Sequence, residues 1–233
     1  MTGRRVALVT GATGGLGRVL VPDLAADGWD LALVGSSQER LEAMVADAGL
    51  EPARTATIAA NLRDQAAATG AIDEVYARFG RVDALAHLVG GWTGGMNIGR
   101  SPDDPYRDMI DQHFWTSLNV VRELAPRMVE AGFGRIAAVS SPMAAAPDAG
   151  MSAYGVGKAA QETLFAALAQ EVAGTGVTVN VVRVRAIDTS AGEGGSDKPE
   201  ATTPAEISSA IRYLFSDPAR VINGERIGLH SGI

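Results

Sequence analysis

The sequence predicts an α/β fold: one doubly wound domain built on a parallel sheet of about seven strands, with helices on both faces. Three observations carry this. Short apolar runs alternate with longer helical patterns along the 233 residues. The first run ends in a glycine-rich turn that opens directly into a helical pattern. The length and a hydrophobic content of 46% suit a single full core, with no low-complexity tail or internal repeat.

The elements follow in order. Val6-Ala7-Leu8-Val9 is too short for a helix of its own and sets the first strand at 4–9. An apolar-periodic stretch through Leu20 and Leu24 gives the helix near 15–28. Leu31-Ala32-Leu33-Val34 marks a strand at 29–34, and a helical pattern follows at 38–48. The alternation continues with strand 54–59 and helix 64–79, then strand 82–89 and helix 106–131. Strand 134–140 precedes the Ala-rich helix 152–173; strand 176–184, helix 204–216 and strand 226–230 complete the set. Such alternation implies right-handed crossovers and parallel strands, and ligands of open sheets bind beyond the strands' carboxyl ends. The loops starting at Gly11, Gly35, Gly90, Ser141 and Arg185 should therefore converge on one cleft. Residues 190–203, rich in Gly, Ser, Glu and Thr, read as a mobile lid within one domain spanning 1–233.

Composition removes several classes of function. There are no cysteines, which excludes disulfides, thiolate nucleophiles and zinc-finger sites. His87, His113 and His230, without an H-E-x-x-H, give no case for a metal site. A net charge of −7 argues against a nucleic-acid surface. Arg4 and Arg5 lead into only a strand-length apolar run, not a secretory leader, and no apolar segment approaches the ~20 residues that span a bilayer. The expectation is a soluble, cytoplasmic protein acting on a small molecule, with no membrane partner.

Two motifs carry chemistry. Thr10-Gly11-Ala12-Thr13-Gly14-Gly15-Leu16-Gly17 lies between strand and helix, where glycines let the backbone approach a pyrophosphate at a helix N-terminus. Far downstream, Tyr154-Gly155-Val156-Gly157-Lys158 places a phenol and an ammonium on one helix face. An ammonium roughly 4 Å away, at an effective dielectric of about 20, favours the phenolate by about 4 kcal/mol. That amounts to about three pKa units, enough to bring a tyrosine near neutrality. Ser141 stands in the same short span and would hold the oxygen that exchanges a proton with Tyr154.

Taken together, these residues resemble the short-chain dehydrogenase/reductase family, marked by T-G-x-x-x-G-x-G near the N-terminus and a downstream Ser, Tyr and Lys. Asn61-Leu62-Arg63-Asp64 is similar to the family's third-strand segment, Ile187-Asp188-Thr189 to the segment holding the nicotinamide end, and Ile222-Asn223-Gly224-Glu225 to its near-terminal turn. The resemblance implies a Rossmann-type domain and an NAD(P)(H)-dependent oxidoreductase that moves hydride between nicotinamide and a carbonyl or alcohol. Tyr154 would be the general acid/base, Lys158 would tune it and bind the ribose, and Ser141 would orient the carbonyl oxygen. The cofactor would lie on Gly11, Thr13, Gly15, Leu16, Gly17, Ser36, Ser37, Asn61, Leu62, Gly90, Tyr154, Lys158, Ile187 and Thr189. Trp92 and Met143 are the substrate candidates, and the family's habit of forming homodimers and homotetramers is expected here.

Departures from the family pattern sharpen the reading. His87-Leu88-Val89-Gly90 replaces the usual Asn-Asn-Ala-Gly, with His87 read as a hydrogen-bonded structural residue. His113 stands where the family has the Asn that bends a helix and completes a tetrad; it either takes over the relay, with a reference pKa near neutrality, or only fills the space. Val184-Arg185 replaces Pro-Gly after the sixth strand. Gly90-Gly91-Trp92-Thr93-Gly94-Gly95, Asp188-Thr189 and Thr203-Pro204-Ala205-Glu206 are similar to dihydropteridine reductase, though Ser141 and the lack of an acid after the second strand depart from it. Trp92 either walls the pocket or is a packed residue. Gly35-Ser36-Ser37 offers no carboxylate to repel a 2′-phosphate, which favours NADP(H) over NAD(H), with Arg40 or Arg18 adding charge. The rival functions are a dihydropteridine-reductase-like reductase, a non-redox epimerase or dehydratase, and a regulatory dinucleotide-binding protein.

Overall fold

Seven strands form one parallel sheet in the computed structural model, which describes residues 3–190 and 201–229. They are β1 (Val6–Thr10), β2 (Asp30–Gly35), β3 (Thr55–Ala59), β4 (Ala84–His87), β5 (Gly134–Ser140), β6 (Val177–Arg183) and, after two short strands noted below, β9 (Arg226–Gly228). The spatial order is β3-β2-β1-β4-β5-β6-β9, so the winding reverses between β1 and β4. Loops that leave the carboxyl ends of these two strands part in opposite directions and open a crevice. Register pairs Thr10 with Val34 on one side and with His87 on the other, so the glycine turn and the β4 loop start at the same level.

Strand pleating sorts the apolar side chains onto two faces. Leu8, Ala32, Val34 and Leu85 meet helices α3 (Gln65–Phe79), α5 (Thr116–Ala131) and α6 (Ser152–Glu171). Ala7, Val9, Leu31 and Leu33 meet α1 (Gly17–Ala26), α2 (Gln38–Asp47) and α7 (Pro204–Phe215). Burial on both faces explains why these strands read as continuous apolar runs rather than alternating ones.

The predicted helix 106–131 is not continuous. Helix α4 (Asp104–Ile110) is joined to α5 by a π-helical turn, Asp111–Trp115, in which the Thr116 N–H donates to the Asp111 carbonyl. Two hydroxyls accompany it: Thr116 Oγ1 donates to the Gln112 carbonyl and Ser117 Oγ to the His113 carbonyl, each at 2.6 Å. Hydroxyls bonding back four residues bend helices, and this pair follows the widened turn. Helix α6 packs closely on it. A Cβ at Gly157 would lie 2.7 Å from the Met109 carbonyl oxygen and 3.0 Å from His113 Cδ2, so only glycine admits this approach.

A second departure is a small sheet absent from the sequence reading. Ala186–Ile187 (β7) pairs in parallel with Ala201–Thr202 (β8), and Thr203 then caps α7 with a reciprocal Glu206 bond. The end of the span read as a lid is thus strand and helix cap; 191–200 lies outside the described residues, as does His230. Among the described residues no helix is long and apolar enough to cross a membrane, and no cluster of His, Asp and Glu is arranged to hold a metal ion.

Candidate active site

Two cavities flank the end of β4 and share Leu88, Val89 and Gly90. One, of about 360 Å³, is lined by Gly11, Thr13, Gly14, Ser36, Asn61 and Leu62. The other, of about 480 Å³, is lined by Trp92, His113, Met143, Tyr154, Lys158 and Ile187. The five predicted loops therefore do converge. No Asp or Glu lines either cavity among the described residues, whereas Arg63, Arg185 and Lys158 do. A lining without carboxylates suits an anionic ligand.

The glycine turn has the geometry of a phosphate cradle. Gly11 has φ +70, and a Cβ there would sit 2.9 Å from the Leu88 carbonyl carbon, so no other residue fits. Helix α1 starts with no side-chain cap; Arg18 and Val19 N–H already donate to the Gly14 and Leu16 carbonyls, so an external anion would rest on the N–H groups of the turn before them. These features fit a dinucleotide. Thr189 packs its methyl over Gly15, bringing the 187–189 segment across the turn. Gly15, Gly17 and Thr189, also predicted contacts, are on neither cavity lining. Two more lie elsewhere: the Leu16 side chain is in the core under α1, and Ser37 caps α2 by accepting from the Arg40 N–H. Neither lines the cavities. Ser36 does, and its hydroxyl accepts from Arg40 Nη2 at 2.9 Å. Gly14, which the motif reading passed over, lies on the wall.

At the other cavity, Ser141 is fully buried and its oxygen accepts from the Met143 N–H at 3.3 Å. Tyr154 departs from the expected tuning. Burial raises the phenol above its ordinary value, with the adjacent Ser141 hydroxyl acting in the opposite direction. Lys158 instead directs Nζ to the Val139 carbonyl at 2.8 Å and to Gln161 Oε1 at 3.0 Å, and burial pulls it down to about 7 against the Glu162 charge. No Lys158 charge acts on the phenol here, because Nζ is turned to Val139 and Gln161, and burial governs both groups.

His113 sits in the π-helical turn, fully buried, with its ring edge-on to Tyr154 at 5.7 Å. Nε2 bonds the Gly91 carbonyl at 3.1 Å, which makes it the protonated nitrogen, while Nδ1 has no partner. Burial and the Lys158 charge pull the imidazole down to about 3. With its pKa pulled that low, His113 is neutral near neutrality and presents an acceptor, so a relay through it would not rest on its own ionisation there. His87 is buried between Thr10 and Ser117, in keeping with a hydrogen-bonded residue of the core. Trp92 is 58% exposed at the cavity mouth, its Nε1 3.2 Å from Met151 Sδ.

Gln161, Ser117 and Met151 were missed by the sequence reading. Gln161 had a signal: a polar residue three positions after Lys158, on a helix face that is buried.

A family model described as short chain dehydrogenase matches residues 5–199. The 3-oxoacyl-[acyl-carrier-protein] reductase FabG of Escherichia coli is 29% identical, the alignment covering 98% of this chain and 97% of that one. A putative 3-oxoacyl-reductase from Bacillus thuringiensis superposes with a TM-score of 0.89 at 21% identity, covering 99% and 98% of the two chains. An NAD+-bound xylitol dehydrogenase superposes with a TM-score of 0.84 at 22% identity over 98% of each.

Proposed function

The chain belongs to the short-chain dehydrogenase family and is a nicotinamide-dependent oxidoreductase; from that premise we propose that it reduces the carbonyl of a small molecule with an apolar body, using NADP(H) in preference to NAD(H). One observation carries the reading. Tyr154, bonded to Ser141, and Lys158 both line a cavity walled largely by apolar residues, and that cavity adjoins the acid-free glycine-turn cavity.

The bound nicotinamide supplies the hydride; the protein binds, orients and handles the proton. Gly11, Gly15 and Gly17 with the start of α1 would hold the pyrophosphate, Asn61, Leu62 and Gly90 the adenosine end, and Ile187 and Thr189 the nicotinamide end. Lys158 binds the ribose and Ser141 orients the carbonyl oxygen. Burial keeps the Tyr154 phenol protonated at neutral pH, the form that donates to an oxygen gaining charge during reduction. Neutral His113 offers Nδ1 as an acceptor next to Lys158 and Gly90. Trp92 and Met143, with Met151, give the substrate an apolar and partly flat wall.

Support for NADP(H) comes from Arg40, which the Ser36 bond holds at the cavity edge where a 2′-phosphate would lie. A homodimer or homotetramer is part of the same reading. An apolar groove of about 450 Å³ runs between α5 and α6, with Arg122 on one wall and Glu171 on the other. A two-fold pairing would set each Arg122 against the partner copy's acid. The test is oxidation of NADPH and NADH with a panel of ketones, quinones, pterins and 3-oxoacyl thioesters. Turnover of apolar ketones with NADPH ahead of NADH is expected; a panel that oxidises neither cofactor refutes the reading.

A further inference from the structure

We propose that Gln161, Ser117 and His87 are positioning residues, forming a buried hydrogen-bond chain that fixes the direction of the Lys158 ammonium and couples it to the π-helical turn. Lys158 Nζ lies 3.0 Å from Gln161 Oε1, and Gln161 Nε2 lies 3.1 Å from Ser117 Oγ. Ser117 Oγ lies 2.6 Å from the His113 carbonyl oxygen and 3.0 Å from His87 Nε2. His87 Nδ1 lies 2.9 Å from Thr10 Oγ1. Thr10, His87, His113, Ser117 and Gln161 are all fully buried, and Lys158 is 5% exposed.

The directions in this chain are forced. An ammonium only donates, so the Gln161 oxygen faces Lys158 and its nitrogen faces Ser117. The Ser117 hydroxyl has one proton, and the His113 carbonyl can only accept it. Ser117 must then accept from both Gln161 and His87, so His87 carries its proton on Nε2 and receives the Thr10 hydroxyl at Nδ1. Each bond in the chain is thereby assigned, and reversing any one breaks another. Two of the three Lys158 N–H groups are consumed, by Val139 and Gln161, which leaves the third for the cavity beside Gly90. A Cβ at Gly90 would lie 3.7 Å from Nζ. The same chain ends on the carbonyl of His113, so displacement of the π-helical turn is transmitted to the lysine.

The charged and titratable groups acting on Lys158 are Glu162 from its own helix, His87 from β4 and His113 from the turn, with Tyr154 lining the same cavity. Glu162 is itself paired with Arg183 of β6 and Arg226 of β9, which spreads its charge away from the lysine. Gln161 is the one neutral acceptor on α6 that reaches the ammonium, and so the point at which to test the chain.

Only the consequence for turnover rests on the proposed reaction, so the test reads Lys158 directly. The ¹⁵N signal of Lys158 Nζ is titrated in cofactor-free wild type, Gln161→Met and Gln161→Glu. Methionine keeps the shape and removes the acceptor; its titration should fall by about one pH unit, the order expected for one charge-assisted hydrogen bond. Glutamate adds a carboxylate in the same place, and its titration should rise by about one unit or more. The alkaline limb of the turnover profile should move in the same two directions. Shifts below about 0.3 unit in both variants, with changes confined to melting temperature, would overturn the proposal. Opposite shifts without turnover on any substrate would uphold the chain and remove the reaction instead.

Discussion

Replacing Gly157 by alanine tests whether the close contact of α6 with the α4–α5 turn shapes the site. The new Cβ would stand 2.7 Å from a carbonyl oxygen, Met109, that cannot rotate away. Relief requires α4 to retreat by roughly half an ångström, and overpacking of this kind costs about 1–3 kcal/mol. Alanine returns about 1 kcal/mol of helix propensity, so the net effect is a loss of about 0–2 kcal/mol. Gly70 is the matched control, because it lies on the exposed face of α3 with nothing within 4 Å of its Cβ. Gly70→Ala should therefore gain about 0.5–1 kcal/mol. At about 2–4 °C per kcal/mol for a chain of this size, the two variants should differ in melting temperature by several degrees. Turnover should separate them further, since the added methyl also presses on His113 Cδ2 at 3.0 Å. Calorimetry and a steady-state assay on both proteins suffice. A Gly157→Ala protein stabilised as much as Gly70→Ala would show that the contact does not constrain the fold.

Tyr154→Phe removes one hydroxyl beside Ser141, and turnover should drop at least about 100-fold, a barrier increase of about 2.7 kcal/mol, with cofactor affinity retained; more than a tenth of the wild-type rate would take Tyr154 out of the mechanism. Arg40→Ala should weaken NADPH binding roughly tenfold while leaving NADH within about twofold, as read by fluorescence titration, given that the guanidinium is exposed and screened; equal losses for both cofactors would refute the 2′-phosphate assignment. His87 and His113 are each held at about 3 in the folded chain, below the unfolded value of about 6.5. Between those values the unfolded state binds more protons, so stability is fully present above about 6.5 and is lost as pH falls toward 3. Replacing His87 with Gln should flatten that loss by about 1.4 kcal/mol per pH unit in urea unfolding at pH 4–6, and an unchanged slope would show that His87 is not held neutral.

Much of this molecule is legible without coordinates because it depends on local pattern. Four-residue apolar runs bounded by turns locate β1 and β2, and strand, glycine turn and helix in succession locate the pyrophosphate end. Helical spacing places Tyr154 and Lys158 together. What failed locally also has local causes. The break at Asp111–Trp115 leaves hydrophobic periodicity almost intact, since a π-helical turn adds one residue per turn and its cue is a pair of hydroxyls, Thr116 and Ser117, that also occur in ordinary helices. The two-residue strands β7 and β8 are too short to produce any period.

By itself the sequence determined the α/β winding, the glycine turn, the family motifs and the absence of thiol chemistry, all of which follow from residue type and spacing. The tertiary structure alone decided the protonation and partners of the site. Lys158 is held from β5 by Val139 and, through Gln161, by Ser117 and His87 on elements 44 and 30 residues apart along the chain. His113 and Tyr154 are pushed away from neutrality in opposite directions by the same cause, burial by atoms gathered from several elements. Desolvation depends on what surrounds a group in space, and spacing along the chain carries no record of it.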